Sequence, residues 1–275
     1  MASPDTHDDG QGPVVVTEDA DGRRSLRFGD GGARQSVVWP GEPLRLELPY
    51  TRMAMVALAF VPQPENVLAV GLGGGAIPMF LRAVLPDTHI DVVEVDAGVV
   101  EAAKQHCGFR EDALLEAHVA DARTFIEAEG APYDIIFLDA YGADQIPGHL
   151  ATREFLGAVR ARLTRGGAVV GNVWESAANP HYDAMVRTYQ VSFQGLSLFE
   201  VPTSSNRILV GLEGPSRLTR ETLVERARRV ERERKLPFRL STLVAQRYRP
   251  LTRRVGRGRV LTDAGLGPDG LIPDE

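Results

Sequence analysis

The spacing of apolar positions changes at Asn66. Between Val14 and Leu48 they come in short runs, VVVTED, RSLRFG, QSVVW and LRLELPY, separated by Gly-Asp, Gly-Gly and Pro-Gly pairs. Short alternating runs between turn residues predict an antiparallel β unit. Thr51–Phe60 is apolar on every side and predicts a buried helix. From Asn66 onward, continuous apolar runs (NVLAV, IDVVEVD, LEAHVAD, YDIIFLDA, GGAVVGNVW) alternate with helical stretches (AIPMFLRAVL, AGVVEAAKQH, TREFLGAVRARL). Strands that are apolar on both faces belong in a parallel sheet with helices on either side.

A helix over His181–Tyr189 and two strand-like runs, VSFQGLSLFEV and RILVGL, then predict an antiparallel hairpin at the sheet edge. A class I methyltransferase-type sheet ends this way, and an ordinary dinucleotide-binding sheet does not. The predicted fold class is therefore α/β, a Rossmann-like class I methyltransferase-type sheet with a small N-terminal antiparallel β unit. Four segments follow from the texture: a polar, disordered tail at 1–12, a β-rich unit at 13–60, a nucleoside-binding domain at 61–214, and a C-terminal helix and tail at 215–275. The charged stretch Thr219–Lys235 is the helix of the last segment.

Composition narrows the partners. A net charge of −6 argues against a nucleic-acid backbone as a partner. The single cysteine, Cys107, excludes an internal disulfide and allows a reducing compartment. The first residues lack the basic-then-apolar pattern of a leader, and the longest apolar run, Met53–Val61, is too short to cross a bilayer. The expectation is a cytoplasmic protein without a membrane partner. The histidines at 89, 106, 118, 149 and 181 show no metal-ligand spacing, so no metal is expected.

The candidate chemistry sits at strand ends. Gly71-Leu72-Gly73-Gly74-Gly75-Ala76 joins a buried strand to a helix, where glycines permit a sharp turn and close approach of a ligand. The same spacing also fits a dinucleotide fingerprint. Glu94 ends the next strand, where a carboxylate can accept from both ribose hydroxyls. Asp121 ends the third; it can accept from an adenine amino group beside the small Ala120 and Ala122, or cap the helix that follows. Asp139 ends the fourth, beside the switch point, where open α/β sheets hold reactive groups. Tyr141 and Asp144 lie on the loop that follows. Trp174, at the end of a later strand, is read equally as an acceptor wall and as packing.

In order and spacing these motifs resemble the spermidine synthase (polyamine aminopropyltransferase) family, from about Val14 to Val210. Gln35-Ser36, Tyr50, T-R-E-F-L and V-P-T-S-S-N-R extend the likeness. The resemblance implies a sulfonium donor, an amine acceptor such as putrescine, methylthioadenosine as the leaving group, and a homodimer. It implies Asp139 as the base, Glu94 on ribose, and Asp121 with Ala122 on adenine. Gln35 and the glycine turn (Gly71, Gly73, Gly75) would also contact the donor, with Tyr50, Tyr141, Asp144 and Trp174 on the acceptor side. The chain departs from the family pattern in the amine half. Gly74 stands where G-G-G-D-G-G has the Asp that holds the donor's ammonium. The loop D-S-S-D-P is D-A-Y-G-A-D-Q-I-P, Q-G-E is Asn172-Val173-Trp174, and P-T-Y is Pro202-Thr203-Ser204. The expected donor is decarboxylated S-adenosylmethionine or S-adenosylmethionine itself. Three activities stay open: aminopropyl-type transfer to an amine, methyl transfer, and nucleoside binding without turnover; an NAD enzyme is a weaker fourth.

Overall fold

The computed structural model of the chain describes residues 13–29, 34–140, 147–215, 218–251 and 258–273. The expected tail at 1–12 lies outside them, as do Tyr141 and Asp144. The N-terminal unit is a meander of β1 (Val14–Glu18), β2 (Arg24–Phe28) and β3 (Arg34–Val38). The fourth run, LRLELPY, is no strand: the backbone turns at Trp39–Glu42 and again at Glu42–Arg45, and Pro49 opens helix α1 (Pro49–Ala54). A proline at the first helical turn loses no hydrogen bond, which is why the helix starts there. The expected helix over Thr51–Phe60 is divided. After α1 the turn tightens, with Val56 N–H on Met53 and Leu58 N–H on Met55, before α2 (Ala57–Phe60). Met53 to Phe60 are all buried, as an all-round apolar segment requires.

The main domain runs through β4 (Asn66–Val70), α3 (Ala76–Val84), β5 (His89–Glu94), α4 (Ala97–Ala102), β6 (Leu115–Val119), α5 (Ala122–Glu127), β7 (Tyr133–Leu138), α6 (Arg153–Ala161), β8 (Leu163–Trp174), α7 (Tyr182–Ser192), β9 (Gly195–Glu200) and β10 (Asn206–Leu212). The stretch AGVVEAAKQH does not stay α-helical; its second half is a π turn, Ala103–Cys107, ended by Gly108. The C-terminal segment is more than a helix and tail. It forms α8 (Arg220–Glu233), α9 (Leu240–Arg247) and a short β11 (Tyr248–Pro250) that joins the sheet edge against β9.

Among the described residues the large sheet has the order β11-β9-β10-β8-β7-β4-β5-β6. The strands from β4 to β8 are parallel; β10, β9 and β11 are antiparallel additions. Side chains alternate between faces. Val67 and Ala69 of β4, with Ile135 and Phe137 of β7, join the core beneath α3, α4 and α8. Leu68, Val70 and Ile136 join the core beneath α5, α6 and α7. Burial on both faces explains why these strands read as unbroken apolar runs.

The chain moves from β4 outward to β5 and β6, then returns across β4 to β7. The gap between β4 and β7 at their carboxyl ends is thus the switch point. Gly71 closes it. Its φ is +92°, and a Cβ there would stand 2.5 Å from the Asp139 carbonyl oxygen. Gly71→Ala is therefore expected to cost about 1–3 kcal/mol from backbone conformation alone, read as a lower urea midpoint. An unchanged midpoint would refute this close approach.

Candidate active site

A cavity of about 460 Å³ opens over the carboxyl ends of β4, β5 and β7. The turn from β4 into α3 forms its floor. Gly71, Gly73 and Gly75 all have positive φ. Gly71 and Gly73 line the cavity; Gly75 does not, and a Cβ there would meet the Phe109 ring at 3.0 Å, so its role is packing. Gln35 and Ser36 of β3 form one wall, and Tyr50 of α1 overhangs the centre.

Glu94 ends β5 and is tied to the turn. Its Oε2 accepts from Leu72 N–H at 2.9 Å and its Oε1 from Asp96 N–H at 3.2 Å. Burial raises its pKa, and these backbone donors only partly offset that. Each oxygen keeps a lone pair for a diol. Asp121 caps α5: its Oδ1 accepts from the backbone N–H (2.8 Å) and hydroxyl (3.0 Å) of Thr124. Its Oδ2 lies 2.9 Å from His149 Nε2. Burial pushes this carboxyl up, but the Thr124 and His149 contacts outweigh it and hold the pKa below the ordinary value. Ala122 lines the cavity beside it.

Asp139 is the most enclosed carboxylate of the site. Its backbone N–H donates to Val70 carbonyl at 2.9 Å, extending the β4–β7 ladder. Tyr50 hydroxyl donates to Oδ2 at 3.0 Å, and Asn172 Nδ2 donates to Oδ1 at 2.8 Å. Asn206 Nδ2 in turn donates to Asn172 Oδ1 at 2.8 Å, fixing which face of that amide points at the acid. Burial without a cation pushes the carboxyl from the ordinary 3.8 up to about 6, against the pull of Asn172 and Tyr50.

Trp174 ends β8 and lines the cavity with Ala178, Ser204 and Ser205. Glu175 turns away and pairs with Arg207. Sequence reasoning did not foresee the Asn172–Asn206 pair, His149 or Arg34 as cavity groups. The β8–β10 register brings Asn206 beside Asn172, a long-range fact without a local signal. One histidine is less scattered than its spacing suggested. Donor atoms of Asp91, Glu116 and His118 lie within 4.8 Å of one another, outside the cavity lining. There Asp91 already accepts from Tyr133 hydroxyl at 2.7 Å and lies 3.0 Å from His118 Nε2. No described helix is long and apolar enough to cross a membrane.

The family model for the spermine/spermidine synthase domain matches residues 47–205, over half of the chain, and the match includes the glycine turn, Glu94, Asp121 and Asp139. The chain belongs to that family. A relative, the polyamine aminopropyltransferase of Vibrio vulnificus, is 36% identical over 61% of this chain and 57% of its own length. The alignment thus spans less than two thirds of that relative. Among solved structures, a probable spermidine synthase from Corynebacterium glutamicum shares the fold. Its TM-score is 0.67 at 20% identity, over 80% of this chain and 82% of that one. Human methyltransferase-like protein 13 in complex with SAH superposes with a TM-score of 0.63 at 26% identity, over 70% of this chain and 94% of that one.

The pKa of Asp139 has a consequence for stability. A carboxyl raised in the fold favours the native state below its unfolded pKa, and that contribution is lost as pH rises from about 4 through 6. Asp139→Asn keeps the shape and can bond to both Asn172 and Tyr50, yet cannot ionise. It is expected to be more stable than wild type at pH 7.5, by up to about 3 kcal/mol, with the difference vanishing near pH 4. Urea unfolding at both pH values measures this; equal stability at pH 7.5 would contradict the burial of a charge.

Proposed function

We propose that this chain is a transferase that moves an aminopropyl or related alkyl group from an S-adenosyl sulfonium donor to an amine, with Asp139 as the base. The observation that carries this reading is the half-buried Asp139 carboxylate, set at the switch point beside the glycine turn and held at both oxygens. A free amine has a pKa of about 10, so it arrives protonated and must lose a proton before it attacks. A carboxylate titrating near 6 is ionised at neutral pH and can accept that proton. The nitrogen lone pair then forms a bond to the methylene carbon next to the sulfonium sulfur. The carbon–sulfur bond breaks with its electron pair going to sulfur, and methylthioadenosine leaves.

The rest of the cavity suits the nucleoside. In this reading Glu94 accepts from the ribose diol, Asp121 from the adenine amino group, and Ala122 leaves room for the flat ring. Gln35, Gly71 and Gly73 border the donor, while Tyr50 and Trp174 border the acceptor beside Asp139. Family membership and the Vibrio relative's name support alkyl transfer to a polyamine-type acceptor. A second reading, methyl transfer from S-adenosylmethionine, draws on the likeness to a methyltransferase-like protein bound to SAH. It shares the nucleoside half and differs in product.

Mass spectrometry separates the two. With S-adenosylmethionine or its decarboxylated form and a mixture of amines, amine-dependent methylthioadenosine is expected; S-adenosylhomocysteine would favour the methyl reading. Turnover should fall on the acid side of pH 6, as Asp139 takes up its proton. Asp139→Asn should bind the nucleoside normally and lose at least about 100-fold in turnover. A variant at the wild-type rate would end the base assignment.

A further inference from the structure

The charged groups of the cavity are unevenly distributed. The carboxylates Glu94, Asp121 and Asp139 stand at the ends of β5, β6 and β7. The wall formed by β3 carries a cation instead, Arg34. Arg34 and Ser36 flank Gln35, where β3 bulges: Ser36 pairs with Leu26 and Arg34 with Arg27, so the two side chains leave the strand on opposite faces. Ser36 is pressed against the glycine turn: a Cβ on Gly73 would lie 3.0 Å from the Ser36 Cβ. Arg34 stands beyond the bulge at the start of β3, and its side chain still borders the cavity. It is exposed and makes no ion pair with any described residue.

Gly74 shapes the same corner. A Cβ there would meet Ser36 Oγ and Val38 Cγ1, each at 3.1 Å, and Cys107 Sγ at 3.5 Å. That direction is walled off, and Gly74 does not line the cavity. The turn thus offers no carboxylate to a ligand, and β3 offers a guanidinium.

The strand order fixes which part of a donor meets this corner. With adenine at Asp121 after β6 and ribose at Glu94 on β5, the sulfur comes over the turn that follows β4. Asp139 borders the Gly71 end of that turn, and Ser36 of β3 borders the Gly73 end. On that reading the amino-acid tail of the donor extends from the sulfur toward the β3 side of the turn. A decarboxylated tail would bring only an ammonium to a guanidinium, a like-charge contact. A tail that keeps its carboxylate can form the paired N–H···O bonds that guanidinium geometry favours.

We propose that Arg34 recognises the α-carboxylate of the donor's tail, so that the donor is S-adenosylmethionine and not its decarboxylated form. This rests on reading the cavity as an S-adenosyl site. With an amine acceptor, the nitrogen attacks the γ-methylene of the tail, and the carbon–sulfur bond gives its pair to sulfur. Methylthioadenosine leaves neutral, and the surplus proton of the amine passes to Asp139. The group moved is 3-amino-3-carboxypropyl.

Three ligands test the tail by isothermal titration with the full chain: S-adenosylhomocysteine, its decarboxylated analogue, and methylthioadenosine, which has no tail. Wild type should bind S-adenosylhomocysteine about 10- to 100-fold more tightly than the decarboxylated analogue, the worth of a charge-assisted pair. Arg34→Ala should erase that preference and leave methylthioadenosine binding unchanged, which also reports that the variant is folded. Arg34→Lys should retain part of it. Equal or tighter binding of the decarboxylated analogue by wild type would overturn the proposal, as would an Arg34→Ala variant that keeps the full preference. If methylthioadenosine itself fails to bind wild type, the S-adenosyl reading falls and the donor assignment falls with it.

Discussion

The site is organised around a half-buried, desolvated carboxylate that has neutral partners. Removing an ionised acid from water costs several kcal/mol unless hydrogen bonds replace the lost hydration. Among the described residues, Asp139 receives one donor on each oxygen, from Tyr50 and from Asn172, and no cation. Each donor is fixed by a different part of the fold. Pro49 starts the helix that carries Tyr50. The β7–β8 ladder sets Asn172 near Asp139, and Asn206 on the neighbouring antiparallel strand locks its amide. Gly71 completes the arrangement by having no side chain, since a Cβ there would collide with the Asp139 backbone. Three separate constraints therefore converge on one acid that is easier to protonate than an exposed aspartate.

The three carboxylates that line the cavity among the described residues are chemically alike in sequence and different in place. Glu94 accepts from two backbone N–H groups and holds the glycine turn against β5. Asp121 is committed to a helix cap and to His149, and its pKa is held down. Asp139 sits near 6, the range in which a carboxylate can exchange a proton at physiological pH; Glu94 is raised by burial as well, but both its oxygens are tied to backbone N–H groups. Environment separates two groups suited to binding from one suited to proton transfer, and the separation follows from where each strand ends.

Most of this was legible in the chain where the signal was local. The strands β4 to β8 declare themselves because burial on both faces leaves no polar position to interrupt the run. The glycine turn and the acids at strand ends follow from the same alternation of strand and helix. What the sequence hid depended on distant partners. LRLELPY alternates like a strand, but it follows two tight turns, pairs with no described strand and gives way to a proline-started helix. Tyr248–Pro250 is too short to read as a strand and becomes one because β9 offers an open edge. The Asn172–Asn206 contact exists only through register, and His149 reaches Asp121 from 28 residues away.

The acceptor side of the cavity shows how charge can be removed without removing charged residues. Glu175 follows Trp174 directly, and its position alone would add a second acid beside Asp139. Its carboxylate is instead paired with Arg207, which lies on the adjacent strand β10. A paired acid and base present little net field at a few ångströms, so the pair contributes no free anion. The groups left facing the cavity there are the Trp174 ring, the Asn172 and Asn206 amides and the Ser204 and Ser205 hydroxyls. Among the described residues, Asp139 is then the carboxylate available to draw a protonated amine into line with the sulfur. A desolvated cation needs an anionic partner, so on the proposed reading the acceptor's reacting nitrogen is the charge this wall accommodates. The remainder of the acceptor meets neutral, hydrogen-bonding and aromatic surface.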